Sequence, residues 1–429
     1  MIRYFKLAYD IIINNILFNL LIILEVTGML VLTNTVIASY NSKQMLYLPY
    51  KDILYEKGVV FAAYGHEILE FSENKDVQAI CERHKGNIDY RELTDLLLNN
   101  LNGDVTIRYT LSDAIENDKL RSLMSGDQAN MIILYSIDHD IFEKFRIPLS
   151  EGRWASSEKN DAGETEAVIS YGTNADLNKV YDTKYGKIKI VGILTQSTYI
   201  PPGQFTVDDQ TEMRSIFDYY QSFDSTISLH APFILMDQSN YPADMYFEPD
   251  SIWFISYGEN ISENEINANN EYLKQFGEIR SKYGDESFQT VNEKSIQAIN
   301  DTYLRMLPMI LSAAVVVLAG LIGSVAIATI RQKRNFGIFF LCGCQHKDCT
   351  KIIFAYLSIL FTASAFLTVM IILVMKFLNM DGLIGTVYDW NNLTISFAEV
   401  AVMYILAVIL PHNIIKTASP IEAVKENRI

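Results

Sequence analysis

"MLPMILSAAVVVLAGLIGSVAIATIRQKRNFGIFFLCGCQHKDC" (306–349) decides the fold. Its first 25 residues carry no charge, and a bilayer core needs about 20 mainly apolar residues per helix. Arg331, Lys333 and Arg334 follow at once, then three of the chain's four cysteines beside His346. The pattern is a membrane span that ends on a basic side. "IIFAYLSILFTASAFLTVMIILVM" (352–375) then returns to the membrane. Two weaker spans lie outward from this pair. Residues 16–38 are apolar but for Asn19, Glu25 and Asn34, and residues 395–411 carry Glu399.

Loop basicity orients the spans. The 331–351 connection has Arg331, Lys333, Arg334, Lys347 and Lys351 against Asp348 alone. The N-terminus has Arg3 and Lys6, and the C-terminal tail has Lys416, Lys425 and Arg428. The 377–394 loop has Asp381 and Asp389 and no basic residue, with Tyr388 and Trp390 as interfacial aromatics. Both termini and the 331–351 connection are therefore expected inside the cell, and residues 39–305 outside. Residues 1–15 mix Phe5, Leu7 and Ile11 with Lys6 and Asp10, as an amphipathic surface helix would.

The charge follows the same division. Residues 39–305 hold 24 Lys and Arg against 43 Asp and Glu, and the remainder holds 11 against 8. An acidic middle with mildly basic ends is not a nucleic-acid binder. Cys81 is alone in that middle and has no intrachain disulfide partner there. "EAVIS" (166–170) and "GKIKIVGIL" (186–194) read as strands, and 111–125 and 263–284 read as helices. "STYIPPGQF" (197–205) breaks the chain, and 206–250 reads as an insertion or second lobe. Residues 293–308 have helical spacing and run into the second span, as a stalk would, with 39–48 as its counterpart. The expected class is an α-helical membrane protein with four transmembrane helices (16–38, 306–330, 352–376 and 395–411) plus a mixed α/β extracytoplasmic domain inserted between helices 1 and 2, and a cytoplasmic tail at 412–429.

Few motifs carry chemistry. No G-x-x-x-x-G-K-[ST] loop occurs, so the chain hydrolyses no nucleotide by that route, and neither H-E-x-x-H nor G-x-S-x-G is present. "CGCQHKDC" spaces Cys342, Cys344 and Cys349 by one and four residues, unlike paired zinc ligands. Small residues on a tightly packed helix explain it better. His139, between Asp138 and Asp140, has ligand chemistry but reads as a solvated turn. Glu25 and Glu399 are intramembrane carboxylates, which are costly in lipid. Gly320 and Ser324 form a small-x₃-small pair that permits close helix approach, within the chain or between two copies.

Three stretches resemble the permeases of the MacB-like and FtsX-like ABC transporter group. "EGRWASSEKNDAGETEAVISYGTNADLN" (151–178) with "GKIKIVGIL" is similar to that family's outer-domain signature. "RQKRNFGIFFLCGCQHKDCTKIIF" (331–354) is similar to its "R-x-x-E-I-G-I-L-R-A-L-G-A-S-x-x-D-I" stretch, and "SPIEAVKE" (419–426) to its "P-x-E-A-L-R". The resemblance implies a segment that docks on a separate cytoplasmic ATPase through Phe336, Gly337, Ile338, Leu341, Gly343, Cys344 and Asp348. Asn335 and Phe340 depart from the family's Glu and Arg. It implies a second permease copy, membrane lipids around the spans, and ATP and Mg bound by the partner rather than by this chain. It allows an extracytoplasmic accessory protein. The function implied is export or removal of a peptide-like, antibiotic or amphiphilic compound. The alternatives are lipoprotein extraction, FtsX-like control of a cell-wall hydrolase or histidine kinase, and a receptor without an ATPase.

Overall fold

The computed structural model describes residues 2–63, 74–84, 90–116, 119, 131–158, 163–200, 215–224, 232–240, 251–275, 286–377 and 390–417. In chain order the helices are α1 (Ile2–Asn14), α2 (Ile16–Tyr47), α3 (Lys51–Leu54), α4 (Lys75–Arg83), α5 (Tyr90–Asn100), α6 (His139–Phe142), α7 (Glu263–Lys274), α8 (Phe288–Leu341), α9 (His346–Phe377) and α10 (Trp390–Thr417). Two compact units result. One comprises residues 1–41, 301–382 and 386–429, and the other 42–300 and 383–385.

The first unit is helical. Among the described residues four helices are long and apolar enough to cross a membrane: α2, α8, α9 and α10. Leu17, Val315, Val316, Phe366 and Phe397 point outward, each more than 45% exposed. In water such a surface would aggregate, whereas against lipid it is matched. The helices outrun the expected spans. The 331–351 connection is no separate element: residues 331–341 finish α8, only 342–345 turn, and α9 begins at His346.

The second unit is built on a ten-stranded sheet. Its strands are β1 (Lys57–Ala63), β2 (Val105–Glu116), β3 (Met131–Ile137), β4 (Leu149–Gly152), β5 (Thr165–Ile169), β6 (Val180–Thr183), β7 (Gly186–Leu194), β10 (Phe233–Asp237), β11 (Ser251–Tyr257) and β12 (Glu286–Ser287). β8 (Ser197–Ile200) and β9 (Gln221–Asp224) form a separate antiparallel pair. The main order is β12-β1-β11-β2-β3-β10-β5-β7-β4, with β6 also on β7. β10–β3 and β5–β7 are parallel and the other pairs antiparallel. Val77, Leu93, Leu97 and Leu273, from α4, α5 and α7, pack on Trp253 and Ile255 at one end of the sheet. At the other end Ile132, Leu134, Ile169, Ile190 and Ile234 form a second core.

Two expectations fail here. Residues 111–116 are strand, not helix, because Leu111 and Ile115 are buried and the whole stretch pairs with β3. Packing on a pleated surface overrides helix propensity. The remainder of 111–125, apart from Lys119, lies outside the described residues. The span 206–250 is not simply an insertion, since Phe233–Asp237 is a fully buried central strand between β3 and β5. Residues 206–214, 225–231 and 241–250 lie outside the described residues. Of 263–284, α7 covers Glu263–Lys274 under a capping box, with Ser262 N–H donating to Glu265 Oε2 (2.8 Å). Residues 276–284 lie outside the described residues.

The "EGR" and "VGIL" residues have an architectural role. Gly152 and Gly192 face each other across β4 and β7. A Cβ at 192 would lie 2.4 Å from the Arg153 carbonyl oxygen, and one at 152 would lie 2.3 Å from that of Val191. Gly152 also has φ +82°, which favours glycine. The close approach lets Arg153 N–H donate to Val191 O (2.9 Å) and aims the guanidinium at Glu166 on β5 (Nη1 to Oε2, 2.7 Å). Ser156 N–H donates to the same oxygen. The Arg153 neighbour holds the Glu166 carboxyl below its usual range.

Within this unit the end of α2 and the start of α8 run together. Tyr47 Oη donates to Asn292 Oδ1 (2.5 Å) and Lys43 Nζ to the Ala298 carbonyl (3.2 Å).

Arg153→Ala leaves the buried Glu166 carboxylate without its cation and should lower stability by about 2 kcal/mol. Gly192→Val should cost about 3 kcal/mol by overpacking. Urea titration followed by tryptophan fluorescence reads both, because Trp154 and Trp253 lie in this unit.

Candidate functional site

The turn between α8 and α9 begins at a helix end with a Schellman cap. Gly343 has φ +90°. Its N–H donates to Phe340 O (3.0 Å), and the N–H of Cys344 donates to Phe339 O (2.9 Å). Gly343 therefore stops α8 where it does. On the other side Asp348, in the first turn of α9, accepts from the N–H of Gln345 (3.3 Å). Asp348 Oδ1 also accepts from Tyr4 Oη (2.9 Å) and from Lys351 Nζ (3.0 Å). Tyr4 belongs to α1, so the amphipathic helix is bonded to the turn. Lys351 Nζ lies 5.4 Å from the Tyr4 ring centre.

The residues singled out at this turn separate by exposure. Phe336 and Gly337 are buried, and Phe336 packs in the bundle core with Ile352 and Tyr356. Ile338 and Leu341 are 43% and 66% exposed, and Cys342 and Cys344 are exposed. Cys349 is buried in the bundle. The His346 ring stacks on Phe340 with centroids 4.4 Å apart. Among the described residues Cys342, Cys344, Cys349 and His346 do not converge as a group of ligands. A cavity of about 630 Å³ opens between α1 and the turn, lined by Arg3, Tyr4, Phe339, Cys344 and Asp348.

Gly320 and Glu25 meet. A Cβ on residue 320 would lie 2.8 Å from Glu25 Oε2, so the small residue makes room for the carboxylate of α2. The close approach is an intrachain one. Ser324 is half-buried one turn along. Glu399 lies in the third turn of α10 and Oε1 accepts from Thr33 Oγ1 (3.2 Å). Beside it Asn34 Nδ2 donates to Ser396 Oγ (2.6 Å), and Asn392 Nδ2 donates to Asn34 O (3.1 Å). The reading by composition treated Asn19 and Asn34 as blemishes in a span and missed this seam. The only signal was that polar residues in lipid need partners.

In the sheet unit His139 Nδ1 lies 2.8 Å from Asp237 Oδ2, at the end of β10, with Glu143 close by. Asp237 is fully buried and also accepts from Ser239 N (2.7 Å). The turn reading of His139 is thus incomplete, since the imidazole ties α6 to the central strand. The Asp237 bond raises the His139 pKa. Burial, then the neighbouring Asp140, pushes Asp138 up to about 6. Asp138 also caps α6 by accepting from Asp140 N (3.1 Å).

No protein-family model matches the chain, and no curated protein matches it. Among solved structures it is similar to the periplasmic region of MacB from Actinobacillus actinomycetemcomitans, at 13% identity. That match covers 59% of this chain and 96% of the other, with a TM-score of 0.25. It is also similar to the extracellular domain of the noncanonic ABC-type transporter YknZ from Gram-positive bacteria. There the identity is 9%, the coverage 54% and 97%, and the TM-score 0.21.

Asp138 binds its proton more tightly folded than unfolded, so its contribution to stability is full below about pH 4 and is lost as pH rises through about 6. Asp138→Asn keeps the helix cap and removes the buried charge. The variant should be more stable than the parent at about pH 7.5. Its advantage should shrink as pH falls below about 6 and vanish below about 4, measured by thermal unfolding across that range.

Proposed function

We propose that the chain is the permease subunit of an ABC transporter, coupled through the α8–α9 turn to a separate cytoplasmic ATPase. The observation that carries this reading is the exposure of Ile338 and Leu341 beside the turn. Both belong to the stretch 331–354, which is similar to the family's docking segment. Two apolar side chains at the end of a basic helix, past the apolar span, are unfavourable in water and suit a protein groove. Phe336 and Gly337 are buried in the bundle. They transmit the contact, while Ile338, Leu341 and Cys344 make it. Asp348, bonded to Tyr4, carries the displacement to α1 as well.

In this reading ATP and Mg bind the partner and the chain is not an enzyme. Two copies, or this chain and a homologous permease, stand on an ATPase dimer in the cell membrane with both termini inside. Closure of the ATPases moves the turns. The continuous helices α2 and α8 carry that motion to the acidic sheet domain outside. The length of that domain favours export or removal of a peptide-like, antibiotic or amphiphilic compound. "SPIEAVKE" (419–426), the tail part of the resemblance, lies outside the described residues.

Two measurements test it. The detergent-solubilised parent should co-purify an ATP-binding protein, and Leu341→Glu should reduce the recovery about tenfold. Leu341→Glu is a cleaner probe than Gly343→Arg, which would also strain the φ +90° cap. Parent chain that recovers no ATPase sinks the reading. In a Cys81→Ser background, Cys342 and Cys344 should react with a membrane-impermeant maleimide only after the cells are permeabilised. Labelling of intact cells would reverse the orientation.

A further inference from the structure

A second cavity, of about 360 Å³, lies between the first turns of α9 and the last turns of α10. It is lined by His346, Lys347, Lys351 and Phe354 on one side and by His412 and Lys416 on the other. Among the described residues the lining brings three lysines and two histidines together and contains no carboxylate. Lys351 is partly neutralised by Asp348 at 3.0 Å. Among the described residues Lys347 and Lys416 have no acidic partner. Lys347 lies in the first turn of α9, where the helix dipole disfavours a cation, so helix stability does not account for it. The cations are exposed and converge from two helices, and such a convergence is a place for an anion.

The surface leading to the cavity says which anion. On α10, Val402, Ile405 and Ile409 precede His412 and Lys416 at spacings of three and four residues, so all five share one helix face. The three apolar members are 56%, 61% and 51% exposed, and Phe354 on α9 is 41% exposed. An apolar stripe capped by cations matches acyl chains capped by a phosphate. Free phosphate makes no use of the stripe. We propose that this cavity holds the headgroup of an anionic phospholipid, with its acyl chains along the Val402–Ile405–Ile409 face of α10. The inner leaflet as the source rests on the orientation proposed above. Lys351 serves both the headgroup and Asp348, so the lipid braces the turn on which the ATPase is proposed to act.

The test uses the full chain, delipidated in detergent. Phosphatidylglycerol, phosphatidylcholine and inorganic phosphate are titrated separately, and binding is read by native mass spectrometry and by thermal stability. Phosphatidylglycerol should bind and stabilise, and phosphatidylcholine should not. Inorganic phosphate should not displace the lipid. Lys347→Gln with Lys416→Gln should weaken phosphatidylglycerol binding on the order of twentyfold, about fivefold per lysine. Lys347→Arg with Lys416→Arg should retain it and shows that the fold is intact. Parent-like binding by the glutamine variant overturns the proposal, as does equal loss in the arginine variant. Displacement of the lipid by inorganic phosphate assigns the cavity to a soluble phosphate compound instead and overturns it too. The readout needs no ATPase. Lipid binding without ATPase recovery sinks only the permease reading, and the converse sinks only the lipid site.

Discussion

The bundle depends on α2, because every polar side chain that helix carries into lipid has to be answered by a neighbour. Asn19 Oδ1 accepts from Tyr356 Oη of α9 (2.5 Å). Glu25 lies over Gly320 of α8. Thr27 Oγ1 donates to Ser364 O of α9 (3.3 Å), and Ser364 Oγ donates back to Ile23 O. Thr33 and Asn34 bond Glu399 and Ser396 of α10. α9 and α10 are thus tied to α2, each at its own level, and lipid gives no alternative partner; at α8 the missing side chain of Gly320 makes room for Glu25. Apolar packing alone would let the helices rotate or slide, since lipid is as apolar as leucine. The polar ties set their register.

Fixing the bundle by α2 leaves the α8–α9 turn as the place where little is pinned from outside. Gly343 ends α8 by backbone geometry, and Asp348 holds α1 through Tyr4. Everything else at that turn either points inward, like Phe336 and Cys349, or projects, like Ile338 and Leu341. In "CGCQHKDC" an αL glycine stands between two exposed cysteines, and a helix then starts at His346. A push on Leu341 has a short route into the bundle, because Phe336, one and a half turns back on the same helix, packs on α9.

What could be read beforehand followed periodicity and composition. The apolar spans and β7 (Gly186–Leu194) were legible because each repeats one signal over many residues. Residues 111–116 misled because "LSDAIE" has helical composition, and only its long-range pairing with β3 makes it strand. Phe233–Asp237 was hidden in a polar neighbourhood that made it look like an insertion. Of the site, Gly320 and Glu25 were each visible, but their meeting was not, since nothing in either span states the rotation of the other. Gly343 is legible as a glycine within the docking-like stretch, whereas its role as a helix stop depends on a backbone geometry (φ +90°) that the sequence does not state.

Two of the three stretches that carry the family resemblance differ in what they leave over. In the sheet unit, Gly152, Gly192, Arg153 and Glu166 are consumed by the structure: two backbones in close approach and one ion pair closing β4 onto β5. Any chain building this sheet edge would need similar residues, whatever its task, so the stretch speaks for fold. At the α8–α9 turn the accounting differs. Gly343, Asp348 and Phe336 are consumed by cap, bond and packing, yet Ile338 and Leu341 remain with no internal role. These exposed apolar side chains, next to Arg331, Lys333 and Arg334, are where the proposed ATPase contact falls. The functional argument therefore rests on this short turn.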